Sequence, residues 1–280
     1  EDSADYADVV LPVCSKFEDT VEHSIVRGGY NHIQLSQKCI DPLFESKPDY
    51  DVMYLIAKSV GLESVLPEDA EQLARFQIDE ATDPLVAGIT FDALVQNHNT
   101  MPLAGIEEPR IGYADLQFPT STGRMEIYYE PQHHSGQALP QWEENNEVFD
   151  GNPLMEKYPL QLAQTRTRFF VHSHFRGAAW LAQFYTPRIE LNPQAMAERG
   201  LEDGDAVEVF NDRGSFSCQA FGNNAIRPTS ARIYEAAWSK DCISGNPQNV
   251  TNDHVNERDA DLLTGAPIPF NDTLVEVRKA

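Results

Sequence analysis

The stretch that decides the fold is RIELNPQAMAERGLEDGDAVEVFNDRG, residues Arg188–Gly214. Its two flanking segments, Arg188–Leu191 and Ala206–Phe210, alternate apolar and polar residues as half-buried strands do. Between them, Asn192 and Pro193 predict the start of a short helix, because Asn caps a helix and Pro suits its first turn. A strand, a short helix and a second strand in so few residues indicate a compact, mostly-β domain.

A tight turn is predicted at Asn211–Gly214, where Gly214 can take a positive φ. Working outward from this turn, the sequence predicts further strands at 160–163, 215–221, 230–235 and 273–278. Many short strands joined by tight turns, with one helix inserted, indicate a small closed barrel.

The first half of the chain has a different pattern and predicts an α/β segment. Short strands are predicted at 7–12 and 30–35, and helices at 48–60, 67–76 and 91–96. The first of these strands, ADVVLP, is apolar enough to be buried. Residues 131–157 are rich in Pro, Gly, Asn and Gln and predict a surface crossover. We therefore expect domains at 1–150 and 151–280.

Charge is spread unevenly over the 280 residues, whose net charge is -23. Residues 1–150 hold 8 basic and 28 acidic residues, a net charge of -20, and residues 151–280 hold 13 and 16, a net charge of -3. Such acidity argues against nucleic acid or an anionic membrane as a partner of the first half. No apolar run reaches the ~18 residues of a membrane span, and the first residues do not form a signal peptide, so we expect a piece of a longer protein.

The sequence offers little catalytic chemistry of its own. It contains no nucleophile elbow, P-loop or dinucleotide-binding glycine fingerprint. Cys14, Cys39, Cys218 and Cys242 stand alone, without the spacing of zinc or iron–sulfur ligands, and are expected to be buried free thiols. We therefore predict no catalytic residue and no metal ligand within this chain.

A basic island, residues Lys157–Ile189, contains no Asp or Glu, although the average density of acidic residues would place about five there. Such a surface suits an anion, because a misplaced carboxylate would repel it. Chance could leave one such window, but a second one runs from Arg213 to Tyr234. The ends of barrel strands can converge on one rim, where Arg offers a rigid fork for phosphate. The alternative is that Arg227 and Arg232 simply face outward.

Several segments of the chain, taken in order, form a larger pattern. They are Ala7–Pro12 followed by Glu18, Phe118–Tyr129, Tyr158–Leu162 with His172 and Ser173, Ile189–Asn211, Glu235–Trp238 and Asn249–Thr251. Together they resemble the C-terminal part of molybdopterin oxidoreductases of the dimethyl sulfoxide reductase type. Thr122, Arg124 and Ala236 depart from the family pattern, and one residue is missing between Val250 and Thr251.

The resemblance implies an α/β segment followed by a mostly-β, six-stranded double-psi barrel that binds a molybdopterin dinucleotide. The implied cofactor is bis(molybdopterin guanine dinucleotide) with molybdenum or tungsten, whose metal ligand and any iron–sulfur cluster would lie upstream of this chain. Carried over by position, the residues that would bind it are Gln164, Thr165, Arg166, His172, Ser173, Trp238 and Asn249.

The resemblance also implies a function for the whole enzyme, an anaerobic S-oxide or N-oxide reductase or a dehydrogenase, while this fragment alone would be inactive. Two alternatives stay open: a hydratase or transhydroxylase of the same superfamily, without net redox chemistry, and a stand-alone binding module. The implied partners are the N-terminal domains of the same polypeptide and an iron–sulfur electron-transfer subunit, but no nucleic acid. The implied location is the extracytoplasmic face of the bacterial cytoplasmic membrane.

Overall fold

The structure, a computed structural model, describes residues 2–19, 23–26, 31–105, 111–139, 141–255 and 268–280. The chain divides into two units: residues 7–126, and residues 127–280 together with the first six residues. Each unit has its own cluster of buried apolar side chains.

The described residues form seven α-helices and ten strands. The helices are α1 (Asp2–Asp5), α2 (Asp49–Ser59), α3 (Ala70–Asp79), α4 (Phe91–Gln96), α5 (Leu154–Lys157), α6 (Ala179–Ala182) and α7 (Pro193–Glu198). The strands are β1 (His23–Val26), β2 (His32–Leu35), β3 (Thr100–Pro102), β4 (Leu160–Thr165), β5 (Arg188–Leu191), β6 (Ala206–Phe210), β7 (Ser215–Gly222), β8 (Ser230–Tyr234), β9 (Ser244–Gly245) and β10 (Leu274–Lys279). Within the described ranges, no helix combines the length and apolar character needed to cross a bilayer.

The unit of residues 7–126 packs helices against a small antiparallel sheet of order β1-β2-β3. α3 begins at Ala70, later than the sequence predicts, because the Asp69 carboxylate accepts a hydrogen bond from the Gln72 N–H at 2.8 Å and caps it. Ala74 and Ile78, four residues apart, are buried on one face of α3. The predicted helices of this unit are confirmed.

The predicted buried strand at 7–12 is wrong for the described residues. Val9, Val10 and Leu11 are 74%, 58% and 54% exposed, and α2 buries none of its residues. A parallel bridge joins Val13 to Lys47, but no described strand covers residues 7–12. An apolar segment is buried only where neighbouring elements cover it.

The second unit is a closed mixed barrel, which confirms the predicted six strands. They follow the order β5-β8-β4-β10-β6-β7, β7 also pairs with β5, and β9 extends the sheet from β7. The pairs β4–β8 and β5–β7 are parallel and the others are antiparallel. The inward positions form one core that includes Leu160, Leu162, Ile189, Leu191, Val207, Val209, Phe216, Ile233, Val275 and Val277. Burying each such side chain stabilises the fold by roughly 1.5–3 kcal/mol.

The turn between β6 and β7 differs from its prediction in one respect. Gly214 does not adopt a positive φ. Instead, a Cβ at this position would lie 3.0 Å from the Asn249 carbonyl oxygen, so the glycine permits a close approach of two backbones. By contrast, Gly200 follows α7 with a φ of 63°, a left-handed conformation that glycine adopts readily at the end of a helix.

Residues 146–148 are tied to the barrel by two buried carboxylates. Asp272 accepts hydrogen bonds from the N–H groups of Asn146 and Val148, at 2.6 and 2.7 Å. Glu147 pairs with Arg213 and accepts the Leu274 N–H at 3.0 Å. The domain boundary at residue 150 stays a prediction, and the segment just before it contacts the barrel.

We expect Glu147→Ala to lower the free energy of unfolding by about 1–3 kcal/mol, because the Leu274 N–H loses its acceptor and the Arg213 guanidinium keeps the Val250 carbonyl but loses its carboxylate partner. Glu208→Ala is the matched control, since it removes an exposed pair with Arg278 that is expected to contribute roughly 0–1 kcal/mol. Urea titration of both variants measures the difference. Equal losses would show that Glu147 is an ordinary surface carboxylate.

Candidate functional site

Two loops leave the barrel side by side because β4 and β8 run parallel. Their register pairs Thr165 with Tyr234, so both strands end at the same rim. The Glu235 N–H donates to the Thr165 carbonyl at 3.0 Å and extends this pairing into the loops. We call residues 166–187 loop A and residues 235–243 loop B. Loop A lies within the basic island.

Glu235 of loop B joins two predicted site residues of loop A. Its Oε1 lies 3.5 Å from Arg166 Nε and 3.3 Å from His172 Nδ1. The side chains of Arg166 and His172 are 71% and 56% exposed, whereas that of Glu235 is 20% exposed. Ion pairs with this exposure contribute only about 0.2–1 kcal/mol. Arg166 and, when protonated, His172 therefore remain accessible to a second, external anion.

Thr165 and Ser173, which adjoin Arg166 and His172 in the chain, carry hydroxyl groups. The Thr165 hydroxyl is buried without a hydrogen-bond partner among the described residues, an arrangement that costs about 1–3 kcal/mol until an acceptor is supplied. Ser173 is half-buried, and its carbonyl accepts the Arg176 N–H at 3.4 Å. A fork-shaped cation, an imidazole and hydroxyl donors form a set that fits a phosphate-bearing group.

Gln164, Trp238 and Asn249 are placed differently. Gln164 is buried and donates to the Thr251 hydroxyl at 2.8 Å. Trp238 lies in loop B, half-buried, with the Lys240 ammonium 4.4 Å from its ring centroid. Asn249 donates to the Ser215 carbonyl at 3.0 Å, at the start of β7. The structure thus brings Arg166 and His172 together at Glu235, and it engages the side-chain amides of Gln164 and Asn249 in contacts within the protein.

Two of the three arginines of the second acid-free window are matched by carboxylates, and the third, Arg227, is exposed. Arg213 pairs with Glu147, and Arg232 pairs with the buried Glu190. Glu190 also accepts the Asn223 side-chain N–H at 2.7 Å. Arg213 and Arg232 are therefore largely neutralised inside the unit, whereas Arg166 and His172 of the basic island stay exposed to solvent.

Sequence reasoning missed Arg176, Glu235 and Asp241 as site residues. Arg176 belongs to the basic island, but its burial is visible only in the structure. Glu235 is the first acidic residue after the second acid-free window. That position was a usable signal, because a lone carboxylate at the border of a basic surface finds cations nearby.

The cysteines are free thiols in three kinds of environment. Cys218 is buried, Cys14 and Cys242 are half-buried, and Cys39 is exposed, so the expectation of buried thiols is wrong for Cys39. Burial raises the pKa of Cys218 to about 12 and that of Cys242 to about 11. A thiol with so high a pKa holds almost no thiolate at neutral pH and reacts slowly.

We expect iodoacetamide at pH 8 to alkylate Cys39 first and to spare Cys218 and Cys242 until the chain unfolds. The reason is that Cys39 is exposed, whereas the other two thiols are protected by burial and by raised pKa values. Peptide mass spectrometry over a time course measures each rate. Labelling of Cys218 as fast as that of Cys39 would contradict the closed barrel core.

The chain is similar to a family of molydopterin dinucleotide binding domains and to known reductases. Residues 160–271 match the family model of the molydopterin dinucleotide binding domain. The chain is 28% identical to a putative catalytic chain of dimethyl sulfoxide reductase from Halobacterium salinarum, over 98% of this chain and 32% of that protein. It is 26% identical to trimethylamine-N-oxide reductase 1 of Escherichia coli K12, over 98% of this chain and 35% of that protein. It therefore spans about a third of the length of the curated relatives it matches.

Among solved structures, acetylene hydratase from Pelobacter acetylenicus has a similar fold. The superposition has a TM-score of 0.77 and covers 99% of this chain and 39% of that one. Sequence identity is 21%, so this likeness concerns the fold alone.

Proposed function

We propose, since this chain belongs to the dimethyl sulfoxide reductase superfamily of molybdopterin proteins, that its barrel is a double-psi barrel that holds part of bis(molybdopterin guanine dinucleotide). The metal of that cofactor is molybdenum or tungsten. The observation that carries the proposal is the contact of Arg166 and His172 with Glu235 at the rim where β4 and β8 end.

In this proposal the chain binds and orients the cofactor, while the cofactor supplies the metal at which oxygen or electrons are transferred. The Arg166 guanidinium donates a fork of N–H groups to phosphate oxygens. His172 adds a donor on the same side, and the hydroxyls of Thr165 and Ser173 add donors that carry no charge. Trp238 would approach from loop B. Glu235 holds the two cations in place before the phosphate arrives.

For the whole protein we propose an oxidoreductase that reduces an S-oxide or an N-oxide. The support is the names of the relatives, which are a dimethyl sulfoxide reductase and trimethylamine-N-oxide reductases. The similarity to acetylene hydratase concerns the fold alone, so it does not favour the non-redox alternative. A stand-alone binding module fits poorly with relatives that are about three times as long.

The remaining N-terminal domains of the same polypeptide are the partner we propose for the unit of residues 7–126. Support comes from the exposed apolar side chains of Val9, Val10 and Leu11 and from α2, which buries no residue. Solvated apolar surface of this kind indicates a contact with another protein surface. An extracytoplasmic location and an iron–sulfur partner protein stay predictions of the resemblance.

We expect Arg166→Glu in the full-length enzyme to lower its molybdenum content, measured by elemental analysis of the purified protein. A hydrogen bond to a charged group contributes about 1.5–3 kcal/mol, so its loss weakens cofactor retention by roughly tenfold or more. Arg227→Glu is the matched control, because Arg227 is exposed and lies just before the other end of β8. Unchanged molybdenum content in Arg166→Glu would rule out this role.

The 280-residue chain by itself is expected to show no turnover with trimethylamine N-oxide or dimethyl sulfoxide and a reduced viologen dye. The reason is that it supplies only part of the proposed cofactor clamp, and we predict no catalytic residue or metal ligand in it. Steady reduction of either substrate above the rate of a heat-denatured sample would contradict this division of labour.

A further inference from the structure

We propose that Arg176 is a positioning residue that fastens loop A to loop B and thereby sets where Arg166 and His172 meet the cofactor. The inference rests on the proposed function and deepens it. Arg176 acts through Glu235 and does not touch the cofactor, because its side chain is only 3% exposed.

The Arg176 guanidinium reaches two points of loop B. Its Nη2 donates to the Glu235 carbonyl at 3.1 Å, and its Nη1 lies 3.5 Å from Asp241 Oδ2. These two contacts span the start and the last part of loop B. Since Arg176 itself belongs to loop A, one side chain holds both loops at the rim of the barrel.

Aromatic rings enclose the same guanidinium. Its central carbon lies 5.1 Å from the Phe170 ring centroid and 4.9 Å from that of Tyr185. The Tyr185 hydroxyl donates to the Tyr234 carbonyl at 3.3 Å, which connects this enclosure to the end of β8. A buried cation costs free energy unless its partners stay in place, so the side chain favours one arrangement of the two loops.

The contact with Glu235 is the step that links Arg176 to the candidate site. Arg176 holds the backbone of Glu235, and the carboxylate of the same residue holds Arg166 and His172. When the Arg176 guanidinium is removed, the backbone of Glu235 is no longer held, and the position of its carboxylate is no longer fixed. A surface pocket of about 140 Å³ lies beside Arg176 and is lined also by Phe170 and Asp241.

Three variants of the chain test whether Arg176 holds loop A to loop B. Arg176→Met keeps an unbranched apolar stem but removes the charge and all donors. Arg176→Lys restores the charge with a single ammonium group, which we expect to rescue the fastening in part. Arg199→Met is the control, because Arg199, the residue that follows α7, is 14% exposed and forms a two-pronged pair with Glu276 of β10, at 2.6 and 3.2 Å.

The alkylation rate of Cys242 reports whether loop B has opened. In the 280-residue chain we expect Arg176→Met to raise this rate about tenfold or more, through local opening, Arg176→Lys to raise it less, and Arg199→Met to leave it near the parent rate. Electrostatics alone predicts the opposite sign, because the Arg176 cation lowers the pKa of Cys242 and its removal would slow the reaction. An increase therefore identifies opening of the loop.

Molybdenum retention in the full-length enzyme then tests this inference separately from the proposed function. We expect Arg176→Met to retain several-fold less molybdenum than the parent after gel filtration, while Arg199→Met retains as much as the parent. If Arg176→Met does not fold, Asp241→Asn, which weakens one of the two contacts, is tested in its place and is expected to act in the same direction.

Two results would overturn the inference. One is Cys242 alkylation in Arg176→Met no faster than in Arg199→Met. The other is full molybdenum retention in Arg176→Met while Arg166→Glu loses molybdenum, which would leave the proposed function standing without Arg176. Full retention in Arg166→Glu would instead refute the proposed function itself.

Discussion

The parallel pairing of β4 with β8 is the constraint on which the candidate site depends. Parallel strands end at the same side of a sheet, so the residues that follow Thr165 and Tyr234 must leave the barrel together. Antiparallel pairing would send the two loops to opposite ends. Every contact at the site, from the Glu235 N–H on the Thr165 carbonyl to the Arg176 guanidinium on Asp241, presupposes this arrangement.

The cations of this unit divide by the burial of their carboxylate partners. Arg213 and Arg232 pair with Glu147 and Glu190, which are buried, and these pairs belong to the framework. Arg166 itself is 71% exposed where it meets Glu235, so the interaction is weak and an incoming anion has access to the guanidinium. Burial thus decides which positive charges are available for binding, and the sequence alone does not distinguish them.

Local sequence signals predicted most elements, because caps, turns and alternation act over a few residues. α4 matches its predicted bounds, and β5 and β6 do as well. What failed depends on distant neighbours: the exposure of Val9, and the backbone approach that requires Gly214. Residue type and family pattern predicted Arg166 and His172 as site residues, whereas the burial of Arg176 is visible only in the folded loops.

The position of β10 in the barrel has a consequence for how the chain folds during synthesis. The last strand, Leu274–Lys279, lies between β4 and β6, and its pairing of Leu274 with Gln161 spans more than a hundred residues. β10 is therefore synthesised only after the other five strands of the barrel, and the core stays incomplete until it joins them. Until β10 pairs with them, β4 and β6 each present one unpaired edge, the kind of edge at which other extended chains add.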